Sequence, residues 1–345
     1  MKLMLIKFSP FGQRQYRLAA FFALAALAAC SERAPPLPAL KIDPSRVTVS
    51  GISSGAYMAH QVHIAWSTRI AGAGLIAGGP YGCAAGQLDR ALKLCTRATE
   101  SGPDIAPLVR NTIARTSEKS IDPLQGLAED RVWIFHGDAD TTVAAQVSAA
   151  IAPFYQALSD KAQVHNVTRA GVAHTFPTAQ PGGDCGQSQS PYLGNCRFDA
   201  AGEIFRHVVL IAGEPESNAH GVVVPFDQDA FLVEGADARM SNTGYVYIPE
   251  QCRMAECGVH LAFHGCLQSA ENIGMEFVEH AGYNRWADLA GVVVIYPQTR
   301  ASLMPLNPKA CWDWWGYTGS NYDTQHGAQI AWVGRVLDQL GVHAP

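Results

Sequence analysis

Charge is scarce in this chain, and neither sign dominates. Only 16% of its 345 residues are Asp, Glu, Lys or Arg, and 25 basic residues stand against 30 acidic ones. A protein that neutralises a phosphate backbone needs a basic excess, so this balance argues against nucleic-acid binding. No apolar run reaches the ~20 residues a spanning helix needs; the run over 18–29 has about a dozen. No C-x-x-C spacing occurs, which removes the commonest structural zinc site. What is abundant is apolar: 48% of residues are hydrophobic, enough for a large core and incompatible with wholesale disorder. The 32 glycines and 20 prolines suit tight loops rather than a helical bundle.

The first 30 residues read as an export signal. Lys2, Lys7, Arg14 and Arg17 precede the apolar run without any acid, and the run ends Leu27-Ala28-Ala29-Cys30. Small residues before a cysteine resemble a bacterial lipoprotein signal, which makes 1–30 a signal peptide and Cys30 the lipidated first residue of the mature chain. Several acyl chains on one cysteine give stable membrane attachment. Removing four basic residues and no acid takes the formal charge from −5 to −9. The Pro-rich segment 31–41 reads as an extended tether, and 42–345 as one catalytic domain.

Eight cysteines remain: Cys83, Cys95, Cys185, Cys196, Cys252, Cys257, Cys266 and Cys311. An even number in an exported chain points to disulfides. Pairing neighbours predicts 83–95, 185–196, 252–257 and 266–311.

Residues 46–50 form a β-branched stretch, followed by Gly51-Ile52-Ser53-Ser54-Gly55 and then a helix-forming segment. Strand, G-x-S-x-G, helix is the context in which that motif places a nucleophile on a sharp turn. Ser53 is the expected nucleophile, and the backbone N–H of Ser54 an oxyanion donor at the positive end of the helix. Buried strands are predicted over 71–79 and 131–135. The latter runs into His136-Gly137-Asp138-Ala139-Asp140, and a short strand over 164–167 precedes His174. Serine, acid and histidine thus follow the chain order of an α/β-hydrolase triad: Ser53, Asp140, His174, with Asp138 as the other candidate acid. His136 and His264 sit in His-Gly turns without a ligand partner at helical spacing, so they read as loop-fixing groups. No metal or cofactor is expected.

Further strands are predicted over 244–249, 259–263 and 291–297, with helices over 270–289 and 324–340. The β-α alternation argues one mostly parallel sheet flanked by helices. The strand ending His264-Gly265-Cys266 lies downstream of Ser53, whereas ordinary α/β-hydrolases place the equivalent loop upstream. Circular permutation accounts for this, since domain termini often lie close together. The alternative, two unrelated domains split near residue 205, leaves neither half with a complete hydrolase set.

Gly51 to Met58, Gly78-Gly79-Pro80-Tyr81-Gly82-Cys83, His260 to Gln268 and Cys311-Trp312-Asp313-Trp314-Trp315-Gly316 together resemble the permuted catalytic domain of polyhydroxybutyrate depolymerases. The resemblance covers 45–340. It implies Ser53 as nucleophile, Asp140 as acid, His174 as base, and the N–H groups of Ser54 and Cys266 as oxyanion donors. It also implies that a Cys266–Cys311 bridge holds the donor loop against the tryptophan loop. The expected activity is hydrolysis of poly- or oligo-hydroxyalkanoate esters by a monomer. A carbohydrate esterase of feruloyl or acetyl type and a non-catalytic envelope lipoprotein are the alternatives. Trp312, Trp314 and Trp315 are candidate substrate contacts, since three tryptophans in four loop residues are not expected all to point inward.

Overall fold

The computed structural model describes residues 33–97 and 101–344. The predicted signal peptide and Cys30 lie outside them. The β-branched and aromatic runs form strands, in chain order β1 Ile42–Ile52, β2 Gly72–Ile76, β3 Arg131–Gly137, β4 Gln163–Arg169, β5 Phe176–Thr178, β6 Gly183–Asp184, β7 Leu193–Asn195, β8 Val222–Asp227, β9 Thr243–Ile248, β10 Cys257–Phe263 and β11 Val292–Tyr296. Eight of them make one sheet in the order β4-β3-β2-β1-β10-β11-β9-β8. The first six are parallel; β9 is antiparallel to β11 and β8 to β9. The other three form a small parallel sheet beside the large one's helices.

Alternation along the strands builds two cores. Val132 and Ile134 of β3 pack on one face and Trp133 and Phe135 on the other; Val293 and Ile295 of β11 oppose Val292, Val294 and Tyr296 in the same way. Strands buried on both faces are continuous apolar runs, as parallel strands under two helical layers must be. The architecture is that of an α/β-hydrolase. Its antiparallel edge and the strand ending in His-Gly follow the serine strand in the chain, as the permuted order requires. The C-terminal helix Ala328–Gln339 packs on the serine helix α1, Ser54–Ala65: Trp66 Nε1, just past α1, donates to Ile330 O at 3.1 Å.

Several elements differ from expectation. In place of one helix over 270–289 there are three, Ala270–Ile273, Glu276–His280 and Tyr283–Ala290. Gly274 and Gly282, at φ 64° and 96°, break the helical path. The final helix begins at Ala328 rather than 324. Segment 203–243 reads only as helix or covering loop but supplies the edge strand β8, where Pro225 is tolerated because an edge strand has one unpaired side. The predicted tether is docked from Arg33 onward: Leu37 is buried, Pro35 O accepts the Asp227 N–H at 2.7 Å, and Arg33 pairs with Asp227.

A polar network crosses the centre of the sheet below the serine. His260 bonds Thr48 Oγ1 through Nδ1 and Ser50 Oγ through Nε2, both at 2.7 Å, and Ser50 Oγ bonds Tyr283 OH. Burial pushes His60 and His260 down to about 3 and His264 to about 4. All three are neutral in the fold, while the unfolded chain protonates them below about 6.5. Between about pH 4 and 6.5 the unfolded state therefore binds more protons, and stability rises with pH across that window by about 1.4 kcal/mol per unit for each histidine. The stabilisation is complete above about 6.5. Denaturant unfolding measured from pH 4.5 to 7 should show this slope, and it should decrease by about one proton's worth in His260→Gln. A flat profile would show that these rings are not buried neutral.

Candidate active site

β1 delivers Ser53 to the sheet's C-terminal edge and α1 leaves it at once. Ser53 adopts φ 57°, ψ −122°, a conformation that costs a non-glycine residue strain. Its N–H is fixed by Ile76 O at 2.9 Å. The two motif glycines are required sterically. A Cβ on Gly51 would lie 2.3 Å from Gly55 O, and one on Gly55 would lie 2.3 Å from Phe263 O. The elbow is thus wedged against the end of β10, and the first residues of α1 sit beside the His264-Gly265-Cys266 loop.

The acid and the histidine come from neighbouring strands. Past the ends of β3 and β4, Ala139 N–H donates to Val172 O at 3.1 Å and Gly171 N–H to Asp138 Oδ1 at 2.6 Å. Asp138 therefore clasps the histidine loop and does not contact the imidazole. Asp140 does: its Oδ2 accepts from His174 Nδ1 at 2.7 Å, while Oδ1 accepts the N–H groups of Thr142 and Val143 at 2.8 and 2.9 Å. Burial acts to raise the Asp140 carboxyl, but the His174 hydrogen bond and charge, with the two backbone donors, hold it below the ordinary carboxylate range. A carboxylate so held fixes the imidazole with Nδ1–H toward the acid and Nε2 free to accept a proton. Cys185 O in turn accepts the Ala173 N–H at 2.9 Å.

Ser53, Ser54, His174 and Cys266 all line one cavity of about 460 Å³. Neither the Ser54 nor the Cys266 N–H has a protein acceptor among the described residues. The 264–268 loop, the candidate donor loop, is tied down by three contacts. Cys266 is bridged to Cys311, Leu267 N–H donates to Lys309 O at 2.7 Å, and Gly265 N–H donates to Gln268 Oε1 at 2.8 Å. Gln268 Nε2 reaches across to Pro191 O and Tyr192 O, joining the donor loop to the segment that follows His174. Gln268 belongs to the motif read in the sequence, but this linking role is visible only in three dimensions. His264 fixes the same loop, with Nδ1 on Gly265 O at 2.7 Å and Nε2 accepting from Thr299 N–H at 3.3 Å. For His136 no such bond is seen: its buried Nδ1 has no partner among the described residues.

The cysteines pair as 83–95, 185–196, 252–257 and 266–311. The tryptophans need correction. All three are less than a tenth exposed, so three tryptophans in four loop residues can all be buried. Trp312 does not line the cavity; it packs edge-on against Phe263 at 5.0 Å and beside His264 at 5.3 Å, supporting the donor loop from behind. Trp314 and Trp315 do form cavity wall, with Tyr57 of α1 stacked on Trp314 at 4.4 Å. Leu88 and Leu92, on a helix held by the Cys83–Cys95 bridge, form part of the wall and are unremarked in the sequence pattern.

No family model matches the chain. It is 35% identical over 326 residues to the poly(3-hydroxybutyrate) depolymerase of Delftia acidovorans, an alignment covering 92% of this chain and 64% of that one. The chain thus spans a little under two thirds of that relative's length. It is 36% identical over 334 residues to the polyhydroxybutyrate depolymerase of Talaromyces funiculosus, covering 92% of this chain and 96% of that one. Among solved structures, a serine-to-alanine PHB depolymerase complexed with an R3HB trimer superposes with TM-score 0.81 at 33% identity, covering 89% of this chain and 99% of that one. The PHB depolymerase of Penicillium funiculosum superposes with TM-score 0.80 at 34% identity, with the same coverage.

Proposed function

The chain belongs to the polyhydroxybutyrate depolymerase family, and from that premise we propose that it is a monomeric serine esterase that hydrolyses poly- or oligo-(3-hydroxybutyrate) and related hydroxyalkanoate esters. The observation that carries the reading is the His174–Asp140 pair at 2.7 Å, with its imidazole on the same cavity as Ser53. Ser53 Oγ attacks the ester carbonyl while His174 Nε2 takes its proton. Asp140 keeps the other ring nitrogen protonated and stabilises the imidazolium. The N–H groups of Ser54 and Cys266 receive the developing oxyanion, each contributing about 3 kcal/mol to the barrier reduction. His174 returns the proton to the leaving alkoxide, which departs as the hydroxyl end of the chain. Water, deprotonated by His174, then attacks the acyl-enzyme and releases the carboxylic acid. The relative bound to an R3HB trimer supports a substrate of several hydroxyacyl units, and the apolar wall of Trp314 and Trp315 suits its methyl groups.

Product analysis tests this. The enzyme should convert hydroxybutyrate oligomers and polymer to shorter acids and leave acetylated and feruloylated glycans largely intact. The opposite preference would refute the substrate class while leaving the triad in place. Four disulfides fit an exported protein. Lipid attachment at Cys30 is supported by the sequence pattern around it, and palmitate labelling that disappears in Cys30→Ala tests it.

A further inference from the structure

The loop that supplies the tryptophan wall is organised by a side chain the hydrolytic steps do not use. Asp313 lies between Trp312 and Trp314 and is completely buried. Its Oδ1 accepts the N–H groups of Trp315 at 3.3 Å, Gly316 at 2.7 Å and Tyr317 at 3.0 Å. Its Oδ2 accepts both the N–H and the hydroxyl of Thr318, at 2.7 and 2.6 Å. Four successive backbone N–H groups and one hydroxyl thus converge on a single carboxylate. Burial pushes this carboxyl above the usual range, and the hydrogen bonds from Thr318, Gly316 and Tyr317 pull against that shift.

The main chain of the same residue is gripped by two helices. Gln61 Nε2 of α1 donates to Asp313 O at 2.8 Å, and Asp313 N–H donates to Gln329 Oε1 of the C-terminal helix at 2.8 Å. Gln329 Nε2 is itself committed to Ala238 O and Tyr317 OH. The rings beside Asp313 form a continuous series: Tyr57 stacked on Trp314, Trp314 edge-on to Trp315 at 5.6 Å, and Trp315 tilted against Tyr317 at 4.8 Å. Tyr57 and Gln61 stand on the helix that starts at the nucleophile. The carboxylate therefore shapes a loop that the main chain of Asp313 and the ring of Trp314 fasten to the helix beginning beside Ser53.

We propose that Asp313 is the positioning residue of the tryptophan wall, holding Trp314 and Trp315 against α1 so that the cavity favours a chain of hydroxyacyl units over a single short acyl group. The proposal rests on the ester-hydrolase reading above. A lone acetyl group needs only the nucleophile, the base and the oxyanion donors. Units further along the chain need a surface at a fixed distance from them.

The test compares a hydroxybutyrate trimer with p-nitrophenyl acetate. Asp313→Asn keeps the shape but sets an amide donor against the Thr318 N–H and hydroxyl. The ratio of kcat/KM for trimer to that for the acetate ester should fall about tenfold or more, mainly through the trimer's KM. Acrylamide quenching of tryptophan fluorescence should rise as the wall loosens. Thr318→Val, which removes one of the five donors and keeps the backbone N–H, decides the matter if Asp313→Asn does not fold. Its ratio should fall about threefold, and that fall should vanish in a Trp314→Ala background. A mere loss of folded enzyme lowers both substrates together and leaves the ratio unmoved. An unchanged ratio in folded Asp313→Asn, or in Thr318→Val, overturns the proposal. Wild-type enzyme that cleaves the acetate ester but not the trimer would instead refute the substrate reading, and the quenching comparison would still decide the role of Asp313.

Discussion

Ser53→Ala is expected to lower kcat on a hydroxybutyrate oligomer by about 10⁵-fold or more, with the circular dichroism spectrum and thermal midpoint of the parent protein. The size follows from the chemistry: without Oγ no acyl-enzyme forms, and only water activated by His174 beside two backbone donors remains. The retained fold follows from the geometry. Alanine keeps the Cβ, and the Ile76 O bond to the backbone N–H of residue 53 does not involve the side chain. The strained φ of 57° belongs to the turn in which Gly51 and Gly55 approach backbone oxygens, and the substitution leaves those approaches alone. Turnover within about tenfold of the parent would place the nucleophile elsewhere.

Asp140→Asn should cost about 10⁴ in kcat on the same substrate. The two N–H groups of Thr142 and Val143 both point at Oδ1. An asparagine must satisfy them with its single oxygen, so its amide nitrogen faces His174. Nδ1 then has to accept rather than donate, the proton moves to Nε2, and the ring cannot take the hydrogen of Ser53. Asp138→Asn is the matched control. Its oxygen can still accept the Gly171 N–H, and the loss should stay below about tenfold. A reversal of these two results would exchange the roles of the acids.

The site was more legible than the elements that wall it, and the reason is physical. Ser53 and Asp140 sit just past the ends of buried strands, and a buried parallel strand announces itself by a run such as Val132-Trp133-Ile134-Phe135 that no polar residue interrupts; His174 follows the polar, largely exposed strand β4 and is legible from chain order instead. The permutation was legible for the same reason, because the His-Gly strand end appears in the chain after the serine elbow rather than before it. Covering segments carry weaker local signals. The helix expected over 270–289 is cut at Gly274 and Gly282, both at positive φ, and a glycine inside a helical pattern does not by itself announce a break. Strand β8 is half exposed and contains a proline, so its pattern does not resemble the sheet centre. Trp312, Trp314 and Trp315 were expected to split between core and solvent because a loop usually has an outside. Here the N–H groups of 315–318 fold inward on Asp313, and all three tryptophans are buried, Trp314 and Trp315 as cavity wall. No periodicity carries that information, since it lies in a hydrogen bond donated by Gln61 and one accepted by Gln329, residues far apart in the chain.

Incubation with a fluorophosphonate followed by peptide mass mapping tests the convergence of hydroxyl, imidazole and carboxylate most directly. A single phosphonyl adduct on Ser53, formed rapidly by the parent and at a small fraction of that rate by His174→Ala, is the outcome expected. An adduct on another serine, or none while ester cleavage continues, would contradict it.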